Sequence, residues 1–289
     1  MVNQDNSRPE NNFENISIGI IMIATNEYLD LWKSTALDLD QFAFQKNFKK
    51  SIHLFTNKAT EAESWAFVNL KNYNLFCYNI KGWGWPEATL LRYKFIASLP
   101  ENALEEVLIY LDSDMQIKGD FGPDLLNEIK RESIFVVDHP GYAVGRHGIL
   151  KFISFVKAPR LFKNLVAKYV SSSRGMGDWE TNEMSTAYVE PEKRFRYVHG
   201  AIWGGYKEAL CKMCNTLAIN VDVDLKRNYI AKWHDESHLN KFTSENEVTY
   251  LSNEFSNYSK YKNLNHINSF IYTRIKPNFF GRTSTKSEI

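Results

Sequence analysis

Glu106-Val107-Leu108-Ile109-Tyr110-Leu111-Asp112-Ser113-Asp114-Met115 is the stretch that decides the fold. Val107 to Leu111 is an unbroken apolar run, the pattern of a strand buried on both faces. The run ends on two carboxylates one residue apart. Ligands of open α/β sheets sit beyond the carboxyl ends of the strands, so Asp112-Ser113-Asp114 delivers acids to the expected site. Acids at that spacing suit a hard divalent cation, which takes one or two protein carboxylates and completes its shell with phosphate oxygens and water. The plainer reading is a solvated turn or a helix cap. Val221-Asp222-Val223-Asp224 has the same spacing and serves as a control. It follows Ala209 to Ile219, whose apolar residues recur at helical period, so no strand carries it to a sheet edge and Asp222 and Asp224 read as loop or cap residues.

Outward from this strand, β and α patterns alternate. Ile16 to Ala24 reads as a first strand, Tyr28 to about Phe44 as a helix, Ser51 to Thr56 as a second strand and Leu75 to Ile80 as a third. Pro86 opens a helix that runs to about Ser98, before Pro100. Ile134 to Asp138 is another strand, and Tyr197-Val198-His199-Gly200-Ala201-Ile202-Trp203-Gly204-Gly205 a strand and turn with glycines where the backbone passes close to something. The rhythm predicts a doubly wound, mostly parallel α/β sheet in a single large domain over residues 16–270. Residues 1–15 read as a disordered N-terminal segment, residues 143–177 as a basic, partly helical stretch, and residues 271–289 as a basic tail (Arg274, Lys276, Arg282, Lys286). No Gly-x-Gly-x-x-Gly follows the first strand and no Walker-type loop occurs, so neither a dinucleotide-binding Rossmann domain nor a P-loop enzyme is supported.

Composition narrows the classes further. With 35 basic and 34 acidic residues the formal charge is +1, which gives no drive toward nucleic acid. The 3 cysteines exclude a disulfide scaffold, and Cys211 and Cys214 read as small core residues of a helix rather than a metal half-site. Aromatic residues make up 14% of the chain, which suits stacking on sugars and bases as well as core packing. Met1 to Asn15 lacks the apolar core of a signal peptide, and no apolar run approaches the ~18 residues of a membrane span. The expectation is a soluble, cytoplasmic chain, with peripheral contact to a membrane left open.

The second concentrated stretch is Trp233-His234-Asp235-Glu236-Ser237-His238-Leu239-Asn240-Lys241-Phe242. On a helix, Asp235, Leu239 and Phe242 share one face, and Trp233, Glu236 and Asn240 another. His234 and His238 stand at the i, i+4 spacing of a zinc hydrolase, but the residue after His234 is Asp and no third ligand is placed. Packed histidines and capping acids are the plainer reading. The functional reading takes Glu236 as a carboxylate for nucleophilic or charge-stabilising work on a sugar carbon, with the Asp112/Asp114 cation on the leaving-group side.

Trp233 to Phe242, read together with Leu111 to Met115, resembles family 6 of the retaining glycosyltransferases, over about residues 16–255 in consistent order. That family holds the histo-blood-group A and B transferases, the α-1,3-galactosyltransferases and bacterial relatives without a membrane anchor. The resemblance implies a GT-A fold and transfer of galactose or N-acetylgalactosamine from a UDP-sugar to the 3-hydroxyl of a β-galactoside glycan, free or lipid-linked. It implies that Asp112 and Asp114 hold Mn²⁺, with Mg²⁺ as the alternative, and that Glu236 is the catalytic carboxylate. Ala24, Thr25 and Tyr28 would contact the uridine. Arg92, Ser113, Asp235 and His234 would hold the rest of the donor, and His139, Trp233 and Glu236 the acceptor. In the donor-selecting segment, His199-Gly200-Ala201 is bulkier at its first and third positions than the Gly pair that admits an N-acetyl group. It therefore leans toward UDP-galactose, although one methyl discriminates by only ~1–3 kcal/mol. Lys276 and Arg282 match loosely a C-terminal segment that closes over the diphosphate. The chain departs from many bacterial members in keeping both acids where they carry Asn-x-Asn, and Tyr258 stands near the place of an acceptor-contacting acid. A non-catalytic sugar- or nucleotide-binding module, in which these acids merely cap elements, is the alternative from another class.

Overall fold

Strand β4 (Val107–Leu111) is buried at every position, and the reason is visible in its neighbours. The computed structural model describes residues 16–45, 48–84, 86–100, 104–142, 176–259 and 269–274. In it, β4 lies between β1 (Ser17–Ile23), to which it is parallel, and β7 (Val198–Tyr206), to which it is antiparallel. Outside β1 follow β2 (Lys49–Thr56) and β3 (Asn74–Asn79), both parallel; outside β7 come β6 (Ile134–Asp138) and β8 (Thr249–Leu251). The sheet order is β3-β2-β1-β4-β7-β6-β8, seven strands with β7 antiparallel to both its neighbours. This mostly parallel sheet clothed by helices is the GT-A-type α/β architecture expected.

Helices cover both faces, so the central strands must be apolar on both. Val107, Ile109 and Leu111 pack with α1 (Tyr28–Phe42), α2 (Ala59–Asn69) and α5 (Gly122–Glu128). Leu108 and Tyr110 pack on the other side with α3 (Glu87–Leu90), α4 (Arg92–Ala97), α6 (Lys207–Lys226) and α7 (His234–Glu245). Cys211 and Cys214 are buried in that second core, as their place on a helix predicted. A small sheet of β5 (Met115–Ile117), β10 (Ile271–Thr273) and β9 (Asn257–Tyr258) continues directly from the Asp-Ser-Asp turn.

Glycines in β7 answer to close approach. A Cβ on Gly204 would stand 2.3 Å from the Leu108 carbonyl oxygen, which no side chain tolerates. The sequence reading of that stretch as close-packed backbone is therefore correct.

Two expectations are corrected. The helix from Pro86 to Ser98 is two short helices, with a joint at Leu91 where ψ is 3°. The joint swings Arg92 and Tyr93 into the sheet, and the Thr89 carbonyl then accepts from Arg92 Nε at 3.2 Å. Asp222 and Asp224 are not loop residues but lie within α6, which runs to Lys226. The apolar stripe of Leu210, Cys214 and Leu217 simply continues to Val221. Buried Asp224 is satisfied there by Ser185 Oγ at 2.5 Å and the Thr186 N–H at 2.8 Å, while Asp222 pairs with Lys94 at 3.0 Å. The control pair thus sits inside a helix and not at a strand end, with partners the pattern could not supply. The expectations for residues 1–15, for the basic stretch up to Arg174 and for Lys276, Arg282 and Lys286 lie outside the described residues.

Candidate active site

The Asp112-Ser113-Asp114 turn is fixed from three sides. Asp112 N–H donates to the Ala201 carbonyl at 2.9 Å, so the first acid is locked to β7. Thr35 Oγ1 lies 2.8 Å from the Ser113 carbonyl, and Arg274 N–H donates to the Asp114 carbonyl at 2.7 Å. Both carboxylates face one cleft of about 270 Å³ lined by Thr25, Tyr28, Trp83, Thr89, Arg92, Tyr110 and Ser113. That is the lower end of the size range of small-molecule pockets. Its upper wall is the loop after β1, where Thr25 Oγ1 donates to the Trp83 carbonyl at 2.7 Å and Asn26 exchanges hydrogen bonds with Asn57.

Arg92 is the hub. Its guanidinium donates to the Gly200 carbonyl at 2.8 Å, pairs with Asp235 at 3.1 Å and approaches Asp112 at 3.5 Å. It also lies over the Tyr110 ring, 4.5 Å from the centroid, and Tyr110 stacks on buried Trp203 at 4.8 Å. Only the planar fork of arginine serves so many acceptors at once. Burial raises the Asp235 carboxyl, and the adjacent Arg92 charge pulls it back down. The hub binds the acid turn of β4, the middle of β7 and the start of α7 into one unit.

Glu236 is the next residue of that unit, in the first turn of α7. Tyr197 Oη donates to Oε1 at 2.9 Å and the Gly200 N–H to Oε2 at 2.7 Å. Asn240, one turn on along α7, pairs its side-chain amide with both backbone groups of Val198, at 2.8 and 3.0 Å, and so docks the helix on β7. This explains why Glu236 and Asn240 share a helix face. Gly200 allows the contact, since a Cβ there would stand 3.1 Å from Glu236 Cβ. Burial pushes the Glu236 carboxyl up to about 7, against the two hydrogen bonds that favour its charged form. A carboxylate so held can act as nucleophile or as stabiliser of positive charge near neutral pH.

A cluster of rings borders Glu236. His139 Nδ1 accepts from the Gly141 N–H at 3.1 Å, while Nε2 lies 3.1 Å from Tyr258 Oη. His199 Nδ1 lies 2.8 Å from Ser256 Oγ, and the two histidine rings are 5.0 Å apart. Burial drives both imidazoles toward the neutral form, His139 to about 2 and His199 to about 4, with His199 adding to the first and Arg92 to the second. Trp233 is 46% exposed, its indole N–H donating to Asp178 at 2.7 Å. A half-exposed indole with an anchored polar edge is a sugar-stacking surface in waiting.

Most of the predicted site residues are therefore gathered in one place. Thr25, Tyr28, Arg92, Asp112, Ser113 and Asp114 line the cleft, and Gly200, Asp235 and Glu236 join it through Arg92. His139 and His199 are brought together beside Glu236. Ala24 is fully buried in the apolar core and presents no side chain to the cleft, and Ala201 is likewise packed in that core. The pair His234 and His238 does not form a metal site: His238 is fully buried against Asp224, 3.7 Å away, whereas His234 is half-buried at the start of α7 with a φ of 47°. Lys276 and Arg282 lie outside the described residues. Sequence reasoning missed Tyr197, Ser256 and Asp178, which act by gripping other residues and carry no motif of their own.

The acids at the cleft fit a cation. Asp112 keeps one oxygen engaged, with Tyr110 Oη donating to Oδ1 at 2.8 Å, and both Asp112 and Asp114 open on the same cleft. Two carboxylates at one mouth, with room for phosphate oxygens and water, are the donor set of a hard divalent ion.

A central strand ending in paired acids, a cleft beside them and a clamped carboxylate beyond make a candidate active site on a GT-A-type fold. The sequence model of glycosyltransferase family 6 matches residues 156–279. The O-antigen biosynthesis glycosyltransferase WbnI of Escherichia coli is 25% identical over 84% of this chain and 89% of its own. The human globoside alpha-1,3-N-acetylgalactosaminyltransferase 1 is 23% identical over 83% of this chain and 61% of its own. The rat histo-blood group ABO system transferase 1 is 22% identical over 79% and 57%. The chain thus spans most of the bacterial relative and about six-tenths of the mammalian ones. Over most of its length it is similar to members of glycosyltransferase family 6. Among the described residues no helix is long and apolar enough to cross a membrane.

Proposed function

We propose that this chain is a retaining α-1,3-galactosyltransferase that moves galactose from UDP-galactose to the 3-hydroxyl of a β-galactoside in a cell-surface glycan. The observation that carries the reading is the clamped Glu236, tied through Gly200 and Arg92 to the acid-edged cleft. The uridine would rest between Thr25 and Tyr28, and the sugar would lie over Arg92 and Asp235, whose buried polar atoms suit its hydroxyls. The bond from the anomeric carbon to the diphosphate oxygen breaks as the bond to the acceptor oxygen forms, and the acceptor proton leaves toward the departing diphosphate. Glu236 would face the positive charge that develops on the anomeric carbon, and its ionised form is the one required. Asp112 and Asp114 would hold a divalent cation, Mn²⁺ or Mg²⁺, which would offset the charge of the diphosphate. His139 and Trp233 would border the acceptor.

One feature favours galactose over N-acetylgalactosamine: the His199 side chain beside Glu236. The human relative is named for N-acetylgalactosamine transfer, so that donor is the second reading. UDP release should be measured with each donor, with Mn²⁺ and with excess EDTA, using lactose and 2′-fucosyllactose as acceptors. EDTA-sensitive turnover of UDP-galactose is expected. Turnover of the N-acetylated donor alone would overturn the donor choice, and EDTA-resistant turnover would overturn the role of Asp112 and Asp114. Glu236→Gln should abolish transfer while UDP still binds; unchanged turnover would refute its role, and no turnover of either donor by the unsubstituted chain would favour a non-catalytic binding module.

A further inference from the structure

We propose that the bare edge of the large sheet, strand β3, is a dimerisation surface, on which a second copy of this chain adds its own β3 antiparallel across a twofold axis. The inference goes beyond the transfer reaction and does not rest on it. Among the described residues β3 pairs with β2 alone, so its outer side offers an open row of backbone groups. Natural edge strands are shielded by being short or bulged, or by charge and proline. The other edge of this sheet follows that rule, since β8 has three residues. β3 has six in unbroken register, and from Asn72 to Ile80 the chain holds no charged residue, proline or glycine.

Apolar side chains flank this edge on both faces. On α2, Trp65 packs on Trp32 of α1 with ring centroids 5.4 Å apart, which turns Glu63 and Phe67 to the flank away from α1. Burial and then the Glu63 charge push the Cys77 thiol up, so that flank lies beside β3. Phe67 is 91% exposed there. Leu75 and Cys77 pack on the α2 side, and Phe76, on the opposite face, stacks on His53 while remaining 47% exposed. Exposed rings beside a bare strand mark an interaction surface.

The backbone selects the partner. Ile80 N–H donates to the Thr56 carbonyl at 3.0 Å, so Ile80, Tyr78 and Phe76 turn their backbone groups to β2, and Leu75, Cys77 and Asn79 turn theirs outward. An antiparallel copy with its axis at Cys77 pairs all three at once, Cys77 with the partner's Cys77 and Leu75 with the partner's Asn79. Phe76 then faces the partner's Tyr78, an aromatic cross-strand pair. An isologous contact sets a surface against itself, and an uncharged edge does this with no like charges opposed. Charge begins only at the ends of the seam, where Lys71 of one chain comes near the partner's Lys81. That repulsion confines the pairing to the uncharged stretch and is screened by salt. Antiparallel strands point their carboxyl ends apart, so the two candidate clefts open at opposite ends of the dimer.

Sedimentation velocity on the full chain, from about 1 to about 200 µM, is expected to show a reversible monomer–dimer equilibrium, tighter in about 0.5 M than in about 0.05 M NaCl. Phe67→Glu and Asn79→Lys, each checked for folding by circular dichroism, should each weaken it at least about tenfold. Ile219→Lys, at an exposed apolar position on α6, should leave it unchanged. Lys81→Glu, which faces the partner's Lys71 with an opposite charge, should tighten it at least about threefold at low salt. Hydrogen exchange at the Leu75, Cys77 and Asn79 amides should slow as the protein concentration rises. A monomer throughout the range, open-ended aggregates, or a dimer indifferent to either Phe67→Glu or Asn79→Lys would overturn the inference. Protection of those amides that does not change with concentration would also overturn it, because the edge would then be covered within one subunit.

Discussion

Tyr197→Phe removes one atom, and its effect can be worked out from the geometry. Tyr197 Oη donates to Glu236 Oε1 at 2.9 Å, one of two hydrogen bonds that favour the charged carboxylate, and the ring is buried between Trp179 and His139. Phenylalanine keeps the ring and its contacts, so the chain should fold as before. A hydrogen bond to a charged group is worth about 1.5–3 kcal/mol, and each pKa unit corresponds to 1.36 kcal/mol. Losing it should raise the Glu236 carboxyl from about 7 by roughly one to two units. The sign follows from which form works. The reaction needs the ionised carboxylate, so activity rises as pH climbs through this pKa, and raising the pKa moves the rise to higher pH. About half the molecules are competent at pH 7 in the wild type, against about one in ten to one in a hundred in the variant. The expectation is a roughly 5- to 50-fold lower kcat at pH 7 that recovers toward pH 9 or above. The assay is UDP release at saturating donor and acceptor from about pH 5.5 to about pH 9.5. Superimposable pH limbs for the two proteins would refute this account of Glu236, and so would a loss of equal size at every pH.

Gly200→Ala would place a methyl 3.1 Å from Glu236 Cβ and 3.2 Å from Oε2, so the carboxylate must move by a few tenths of an ångström. A kcat about 10- to 100-fold lower is expected with donor affinity by calorimetry nearly unchanged, given how steeply rate depends on placement. Asp178→Ala frees the indole edge of Trp233; losing about 1 kcal/mol of ordering should raise the acceptor KM roughly fivefold and leave acceptor-free UDP release as it was. Buried His238, held neutral with its pKa pushed by burial to about 4, gives stability that is present above the unfolded pKa of about 6.5 and lost as pH falls toward the folded value. His139 and His199 act with the same sign, so the measurement is a difference: the Tm of His238→Leu should fall less than that of the wild type between pH 7 and about pH 5, and parallel curves would exclude His238 as a contributor.

The central strand was legible because its constraint is local. A strand covered on both faces must be apolar throughout, and Val107 to Leu111 shows it without reference to anything distant. The same holds for Trp233 to Phe242, whose face-sharing residues Glu236 and Asn240 do meet β7 together. Legibility failed where the deciding contact is far away in sequence. Asp224 inside α6 looks like a helix breaker until Ser185 and Thr186 are seen to satisfy it. The joint at Leu91 exists for Arg92, whose acceptors lie on β7 and α7. Ala24 and Ala201, singled out by resemblance, have side chains packed in the core, a placement no local pattern announced.

Why the acids of two distant stretches end in one unit is answered by Arg92. Asp112 and Asp235 are 123 positions apart in the numbering, and two carboxylates near each other in a buried setting repel and are costly to desolvate. A guanidinium fully enclosed between them, 3.1 Å from one and 3.5 Å from the other, offsets that cost and fixes their spacing. The same group binds the Gly200 carbonyl, whose residue offers its N–H to Glu236 on the opposite side. The position of the clamped carboxylate relative to the acid turn is thus set by a chain of short, charge-assisted contacts rather than by the helix alone. Lysine in place of Arg92 would keep the charge but could not span these acceptors. What the fold preserves in this site is a distance between carboxylates, and a single buried arginine is the ruler.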